Sequence, residues 1–262
     1  MLTDSFLRKH TYLRVSVTDR CNLRCRYCMP PEGVQLVPHD EVLRNEEFVS
    51  LIGIFRKLGV SKVRFTGGEP LVRKGIMDII HDTHRLYPEL VLCLTTNGIL
   101  LGEYLDDLKK CGMKKFNISL DSMNRDKFLE ITGRDCFDTV MRNIENTLED
   151  SSLDVKVNAV LMRDTLNEID DFLDFFAGRN VTLRFIERMP VTEDEKHEFI
   201  PSDDLVEALS ARGGLVRKTT DRGDVSQRFD LNYKGRLLKI GIIPPVTHKF
   251  CSDCNRLRLT SE

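Results

Sequence analysis

Over the first two-thirds of the chain, short apolar runs of period two alternate with longer stretches in which apolar residues recur every three or four positions. Residues 12–18 alternate as a strand does, and 45–58 sets Phe48, Leu51, Ile52, Phe55 and Leu58 on one helical face before Gly59 stops it. Residues 62–66 form the next strand and 74–86 the next helix, with Ile76, Ile79, Ile80 and Thr83 turned inward. The unit repeats as 91–96 with 101–111, 115–120 with 137–148, and 154–161 with 168–176, before a sixth strand at 181–186. Strands that alternate with helices imply parallel pairing and right-handed crossovers.

Polar residues gather where these strands end: Thr66-Gly67-Gly68-Glu69, Thr95-Thr96-Asn97, Ser119-Leu120-Asp121, Asn158 and Glu187-Arg188-Met189. Turn chemistry alone explains Asn97-Gly98. A polar set after nearly every strand instead suits the rim of a parallel barrel, where sites are built. The pattern therefore predicts an α/β fold, a partial (β/α)6 TIM-like barrel over 1–189 with a small C-terminal α+β extension over 190–262. In that extension, 191–201 is charged and irregular, and 202–211 is a short helix with Ser202 as its cap. Segments 227–232 and 237–243 form a hairpin around Tyr233-Lys234-Gly235-Arg236.

Composition narrows the function classes. The 262 residues are 41% hydrophobic and 31% charged, as in an ordinary globular protein. Thirty-nine basic residues against forty-one acidic ones give a net charge of −2, which argues against a dedicated nucleic-acid or membrane-surface binder while leaving room for a local basic pocket. No apolar run has the length of a membrane span, and the polar start Met1-Leu2-Thr3-Asp4-Ser5 lacks the core of a signal peptide. The expectation is a cytoplasmic protein with no nucleic-acid and no membrane partner. Thiols stay reduced there, so eight cysteines, five of them in two tight groups, point to metal or redox chemistry. Cys93, Cys111 and Cys136 read as small buried hydrophobes.

The strongest signal is Cys21-Asn22-Leu23-Arg24-Cys25-Arg26-Tyr27-Cys28, directly after the first strand. Soft thiolates select zinc, copper(I) or iron–sulfur clusters, and three of them leave a coordination position open. A zinc knuckle remains the alternative. The spacing Cys-x3-Cys-x2-Cys, with an aromatic before the last cysteine, resembles the radical S-adenosylmethionine enzymes. The resemblance implies a [4Fe–4S] cluster on Cys21, Cys25 and Cys28 whose fourth iron is chelated by S-adenosylmethionine. Thr66-Gly67-Gly68-Glu69-Pro70 matches the segment that receives the methionine amino group in that superfamily, its glycines allowing a close approach of a ligand to the backbone.

Further segments narrow the resemblance. Leu13 to Cys21, Tyr27-Cys28-Met29-Pro30, Arg64 to Leu71, Thr95-Thr96-Asn97-Gly98, Asn117 to Asp121, Val155 to Asn158, Arg184 to Glu187 and Phe250 to Arg258 look like the molybdenum-cofactor biosynthesis protein A family of GTP 3′,8-cyclases. Membership would imply that Tyr27, Gly68, Ser119 and Met189 contact S-adenosylmethionine. It would also imply that Arg14, Arg64, Thr95, Lys156, Arg256 and Arg258 line a GTP pocket. Cationic residues within strands are costly unless they face solvent or an anion, which agrees with Arg14, Arg64 and Lys156 pointing into the lumen. The implied reaction is a lyase step of molybdopterin biosynthesis. A 5′-deoxyadenosyl radical takes the C3′ hydrogen of GTP, and the C3′ radical attacks C8. The resemblance further implies a reductase or flavodoxin-type electron donor, cyclic pyranopterin monophosphate synthase as the next enzyme, and a homodimer.

One feature departs from the family. A second [4Fe–4S] cluster needs three cysteines, and Cys251-Ser252-Asp253-Cys254 supplies two before Ser261-Glu262. The expectation is a chain cut short within a strand at 257–260, with Cys251 and Cys254 over the barrel mouth opposite the triad and the second cluster incomplete. Two rival readings remain: a radical enzyme with an auxiliary cluster that modifies peptides, and a non-catalytic metal-binding module.

Overall fold

The computed structural model describes residues 2–28, 38, 41–190, 199–219 and 223–261. Met29-Pro30 and most of the irregular 191–201 segment lie outside the described residues. Six strands pair in parallel and in chain order: β1 (Tyr12–Ser16), β2 (Lys62–Thr66), β3 (Val91–Thr96), β4 (Lys115–Ser119), β5 (Asp154–Leu161) and β6 (Val181–Glu187). The connecting helices are α1 (Asn45–Lys57), α2 (Ile76–Leu86), α3 (Leu101–Lys110), α4 (Arg125–Thr132), α5 (Phe137–Glu149), α6 (Arg163–Asn167) and α7 (Ile169–Phe176). The repeated strand–helix unit thus gives the expected partial barrel.

Period-two burial shows how the barrel is filled. Leu13 and Val15 of β1, Val63 and Phe65 of β2 and Phe116 and Ile118 of β4 are fully buried in one core with Ile52, Ile79 and Ile144 from the helices. Burying each such side chain contributes roughly 1.5–3 kcal/mol. Phe172 of α7 meets Phe185 of β6 edge-on at 5.9 Å, which seats that helix. The intervening positions, Tyr12, Arg14 and Ser16 of β1 and Thr182, Arg184 and Ile186 of β6, are only half-buried. They face a lumen that is hollow rather than packed with apolar layers.

The remaining elements are α8 (Ser202–Ser210), β7 (Gly214–Lys218), β8 (Gln227–Tyr233), β9 (Arg236–Ile243) and β10 (Arg256–Leu259). They build no separate layer. β9 pairs in parallel with β6, β8 and β7 follow antiparallel, and β10 pairs in parallel with β1, so one ten-stranded sheet runs β10-β1-β2-β3-β4-β5-β6-β9-β8-β7. The β8–β9 hairpin closes through Lys234 (φ 48) and Gly235 (φ 77), the positive-φ pair of a type I′ turn.

Several details differ from the sequence-based expectation. The helices α4 and α6 and the edge strand β7 were not anticipated. Ser202 is the first residue of α8 and not its cap: its N–H donates to Glu187 Oε1 at 2.8 Å and its hydroxyl meets Thr247 Oγ1 at 2.9 Å. Cys93 and Cys111 are buried, whereas Cys136 is half-buried with its thiol donating to the Arg134 carbonyl.

Candidate active site

The loop after β1 carries the cysteines, and the loop after β2 holds it in place. Gly68 N donates to the Thr18 carbonyl and Glu69 N to the Arg20 carbonyl, both at 2.8 Å. A Cβ on Gly67 would stand 2.4 Å from Thr18 O, and one on Gly68 2.3 Å from Arg20 O. The glycines therefore make room for the cysteine loop itself, and both also line the thiol cavity described next. Glu69 is 1% exposed. Its carboxylate accepts from Leu71 N (3.1 Å), Thr96 Oγ1 (2.9 Å) and Asn97 N (2.6 Å), tying in the loop after β3. Burial pushes its carboxyl up to about 7 against the pull of those three donors.

Cys21, Cys25 and Cys28 line one cavity of about 430 Å³ together with Gly67, Gly68, Glu69, Asn97 and the apolar Leu23 and Phe128. Leu23 N donates to Cys21 Sγ at 3.4 Å, and Asn97 Nδ2 approaches it at 3.9 Å while donating to Asn22 Oδ1 at 2.7 Å. Burial raises all three thiols, and neighbouring negative charge adds to it, taking Cys25 to about 12. Such thiols ionise when a cation compensates them, so metal binding here releases protons. No three His, Cys, Asp or Glu side chains among the described residues converge on a single metal ion, the triad included. Three free thiols lining one cavity, Cys21 and Cys25 half-buried and Cys28 exposed, with N–H donors on the Cys21 sulfur, fit a cluster in which several irons share the cysteines.

A second cavity, of about 480 Å³, occupies the lumen. Arg14, Lys62, Arg64, Lys156, Arg184, Arg228 and Arg256 line it, against the carboxylates of Asp121 and Asp224. Arg64 is fixed by bonds to Tyr12 Oη, the Leu94 carbonyl (2.5 Å) and Thr95 Oγ1 (3.3 Å). Burial, reinforced by Arg64, lowers Arg184 to about 10. Burial also lowers Arg14, with the Arg258 charge adding to it. Burial likewise lowers Lys156, whose ammonium donates to both Asp154 oxygens at 2.9 and 3.1 Å. The side-chain Nε of Arg14 and of Arg256 are buried without a hydrogen-bond partner. Crowded cations with idle donors are a site for a polyanion.

The two cavities share Tyr27, Thr95, Ser119 and Asp121 as a common wall. Tyr27 Oη donates to Asp121 Oδ2 at 2.6 Å, and Val160 N donates to Oδ1 at 2.9 Å. Asp121 is 4% exposed, and burial raises its carboxyl.

Most expected site residues thus come together, and three groups do not. Met189 is 63% exposed and lines neither cavity; it follows Glu187, whose carboxylate is occupied by Ser202 N, Val246 N and Thr247. Arg258 pairs in register with Arg14 but is exposed and does not line the lumen. Cys251 and Cys254 flank a short 3-10 turn before β10, exposed and half-buried respectively, and only their neighbours Asn255 and Arg256 reach the lumen. Because β10 runs parallel to β1, they stand at the strand-start end, while the triad follows the strand ends. No third thiol joins them: Cys93, Cys111 and Cys136 lie in or beside other elements. The described residues do not complete a second cluster.

Lys62, Arg184 and Arg228 line the lumen yet were given no role from sequence, and Asp121 was named only among the polar residues at the strand ends. Lys62 and Arg184 lie in segments read as strands, and Arg184 also opens a segment that carries the resemblance, but no pocket role was drawn for either. Their position on alternate residues was the only available signal.

The comparisons with known proteins agree with this geometry. Residues 15–176 match the model of the Radical SAM superfamily, and 181–262 match Molybdenum Cofactor Synthesis C. GTP 3′,8-cyclase of Clostridium botulinum is 42% identical over 265 residues, covering 100% of this chain and 82% of that protein. The chain belongs to the radical SAM superfamily and, within it, to the GTP 3′,8-cyclase family. Molybdenum cofactor biosynthesis protein 1 of Dictyostelium discoideum is also 42% identical over 272 residues, and this chain spans 42% of its length. Among solved structures, SuiB of Streptococcus suis bound to S-adenosylmethionine superposes with a TM-score of 0.61 at 19% identity, covering 78% of this chain and 47% of that one. It shows that the radical SAM fold is shared. No helix among the described residues is long and apolar enough to cross a membrane.

Proposed function

We propose that the chain binds S-adenosylmethionine at the triad and GTP in the lumen, and cyclises GTP between C3′ and C8. The observation that carries this reading is the common wall: a thiol-lined cavity and a cationic cavity meet at Tyr27, Thr95, Ser119 and Asp121. Cys21, Cys25 and Cys28 would hold the [4Fe–4S] cluster, which with S-adenosylmethionine supplies an electron and a carbon radical able to take a hydrogen atom. Gly68 and Ser119 stand beside that ligand, while Arg14, Arg64, Lys156, Arg184 and Arg256 clamp the triphosphate. The protein's part is to fix the nucleotides in register and keep water out, because a free primary radical is quenched by any neighbour. Cys251 and Cys254 would contribute to a second cluster only with a further ligand, and no step is assigned to it. Residues 1–189 would then carry the cofactor half of the site, and 190–262 would supply Arg256 and the strands that close the lumen. An external one-electron reductase, such as a flavodoxin, fits the need for a single electron, and cyclic pyranopterin monophosphate synthase would consume the product.

The test separates the cavities. Lys156→Ala or Arg64→Ala should weaken GTP binding while GTP-independent cleavage of S-adenosylmethionine persists. Cys25→Ala should abolish cleavage and leave GTP binding. Loss of both activities in every variant would mean that these residues serve the fold and not two sites.

A further inference from the structure

We propose that the outer face of the cysteine loop, with the arginines around it, is the docking surface for an acidic protein that carries a single electron. The inference rests on reading the triad as the seat of an iron–sulfur cluster, and it names where the electron enters. Cys25 lines the thiol cavity while its neighbours Arg24 and Arg26 are exposed, so the loop turns a sulfur inward and cations outward. Cys28 is itself exposed at the end of the loop. One layer of loop therefore separates the thiols from solvent, and electron transfer falls steeply with distance. On docking, the carrier gives up one electron and the cluster would take it up; no bond forms or breaks.

The loop is fastened to two helices that extend the same face. Arg24 N donates to the Thr132 carbonyl at 2.8 Å and Arg26 N to the Ile131 carbonyl at 3.0 Å, which sets the end of α4, and Arg134 beyond it, beside the loop. Arg26 pairs with Asp164 at 3.2 Å, which brings in Arg163 at the start of α6. Arg20 opens the loop and is exposed. Nearby carboxylates are already used: Glu130 and Asp164 pair with Arg26 and Lys127, and Asp135 and Asp138 with Arg125. Arg20, Arg134 and Arg163 are exposed and make no ion pair among the described residues. Nor does the fold account for Arg163, since a cation on the first residue of a helix gains nothing from the helix dipole. The face thus holds surplus positive charge on a chain whose net charge is −2. Such a patch steers an oppositely charged partner and raises its rate of encounter about 10- to 1,000-fold at low salt. The carboxylates set among the arginines would repel the continuous phosphates of a nucleic acid, whereas a folded acidic protein can place its own carboxylates opposite the cations.

The experiment uses the anaerobically reconstituted protein, a flavodoxin of strongly negative net charge, and dithionite as a small reductant. It reads binding of the oxidised flavodoxin and, separately, the rate at which each reductant bleaches the iron–sulfur absorbance. The triple variant Arg20→Glu, Arg134→Glu, Arg163→Glu should lose about tenfold or more in both flavodoxin readouts at low ionic strength, while dithionite reduces it within about twofold of the wild-type rate. Three matching reversals at Lys57, Lys114 and Arg179, exposed before strand starts at the opposite rim, should leave the flavodoxin readouts near wild type. Raising salt from about 0.01 to about 0.1 M, where the Debye length falls from about 30 to about 10 Å, should slow wild-type reduction by flavodoxin several-fold. If the triple Glu variant loses iron, Gln at the same three positions decides, with a smaller loss in the same readouts. A flavodoxin rate that neither salt nor these replacements change, or a wild type that dithionite reduces and flavodoxin does not, overturns the docking surface. A wild type that assembles no reducible cluster would overturn the reading of the triad beneath it.

Discussion

The Gly68→Ala substitution tests how the cysteine loop is built. The added Cβ would meet Arg20 O at 2.3 Å, Arg20 C at 2.7 Å and Asp19 O at 2.7 Å, all backbone atoms, where ordinary contact begins near 3.4 Å. No rotamer change relieves this. The two loops must part by about 1 Å, which breaks or stretches the 2.8 Å bonds from Gly68 N to Thr18 O and from Glu69 N to Arg20 O. Two backbone hydrogen bonds are worth roughly 1–3 kcal/mol together, and overpacking strain is of the same order. A loss of about 2–4 kcal/mol in unfolding free energy is expected from chemical denaturation of the iron-free protein. Iron bound per chain after reconstitution should fall with it, because the triad would no longer converge on one cavity. Gly214→Ala is the control, since its Cβ would meet nothing closer than Asn232 Cβ at 3.9 Å. Wild-type stability and full iron loading in Gly68→Ala would refute the clamp.

Three further outcomes follow from the site. Arg184→Ala should weaken GTP binding about ten- to a hundredfold by equilibrium dialysis while sparing GTP-independent cleavage of S-adenosylmethionine; unchanged affinity would remove Arg184 from the pocket. Glu69, raised to about 7 by burial, contributes stability that is fully present below the ordinary carboxylate range near pH 4.5 and is lost as pH rises through 7. Glu69→Gln does not titrate, so between pH 4.5 and 8 the iron-free wild type should lose roughly 3 kcal/mol more than the variant, and parallel stability curves would contradict the burial argument. Replacing Glu187 by Ala leaves Ser202 N, Val246 N and Thr247 N without their buried acceptor, so a loss of several kcal/mol is expected in denaturant melts, and a change below 0.5 kcal/mol would show that this carboxylate does not hold the C-terminal strands.

The barrel was legible because its outer strand positions are apolar and its helices carry one apolar face, so both periods survive in the sequence. The strand β7 was not, because it is an edge strand whose residues are nearly all exposed, and burial imposes no alternation on it. The helix α4 has few apolar positions, and its clearest signal is the cap: Asn124 Oδ1 accepts from Asp126 N and Lys127 N. Period two separates the two faces of a strand without saying which faces the lumen. That is why Arg184 could be placed in a strand and still not be recognised as a pocket residue. Gly67 and Gly68 were legible as a close approach, but that another loop of the same chain also stands at close range is something no local pattern reveals. Met189 and Arg258 were carried over by resemblance, and the described geometry leaves both outside the cavities.

The central claim is that the two cavities bring the C3′ carbon of GTP beside the methyl-sulfonium nucleotide at the triad. It is tested most directly with GTP deuterated at C3′, incubated anaerobically with the reconstituted protein, S-adenosylmethionine and dithionite. Deuterium is expected in the 5′-deoxyadenosine released, together with a nucleotide joined between C3′ and C8. Rapid release of unlabelled 5′-deoxyadenosine by a protein that binds GTP in the lumen and leaves it unchanged would contradict the claim.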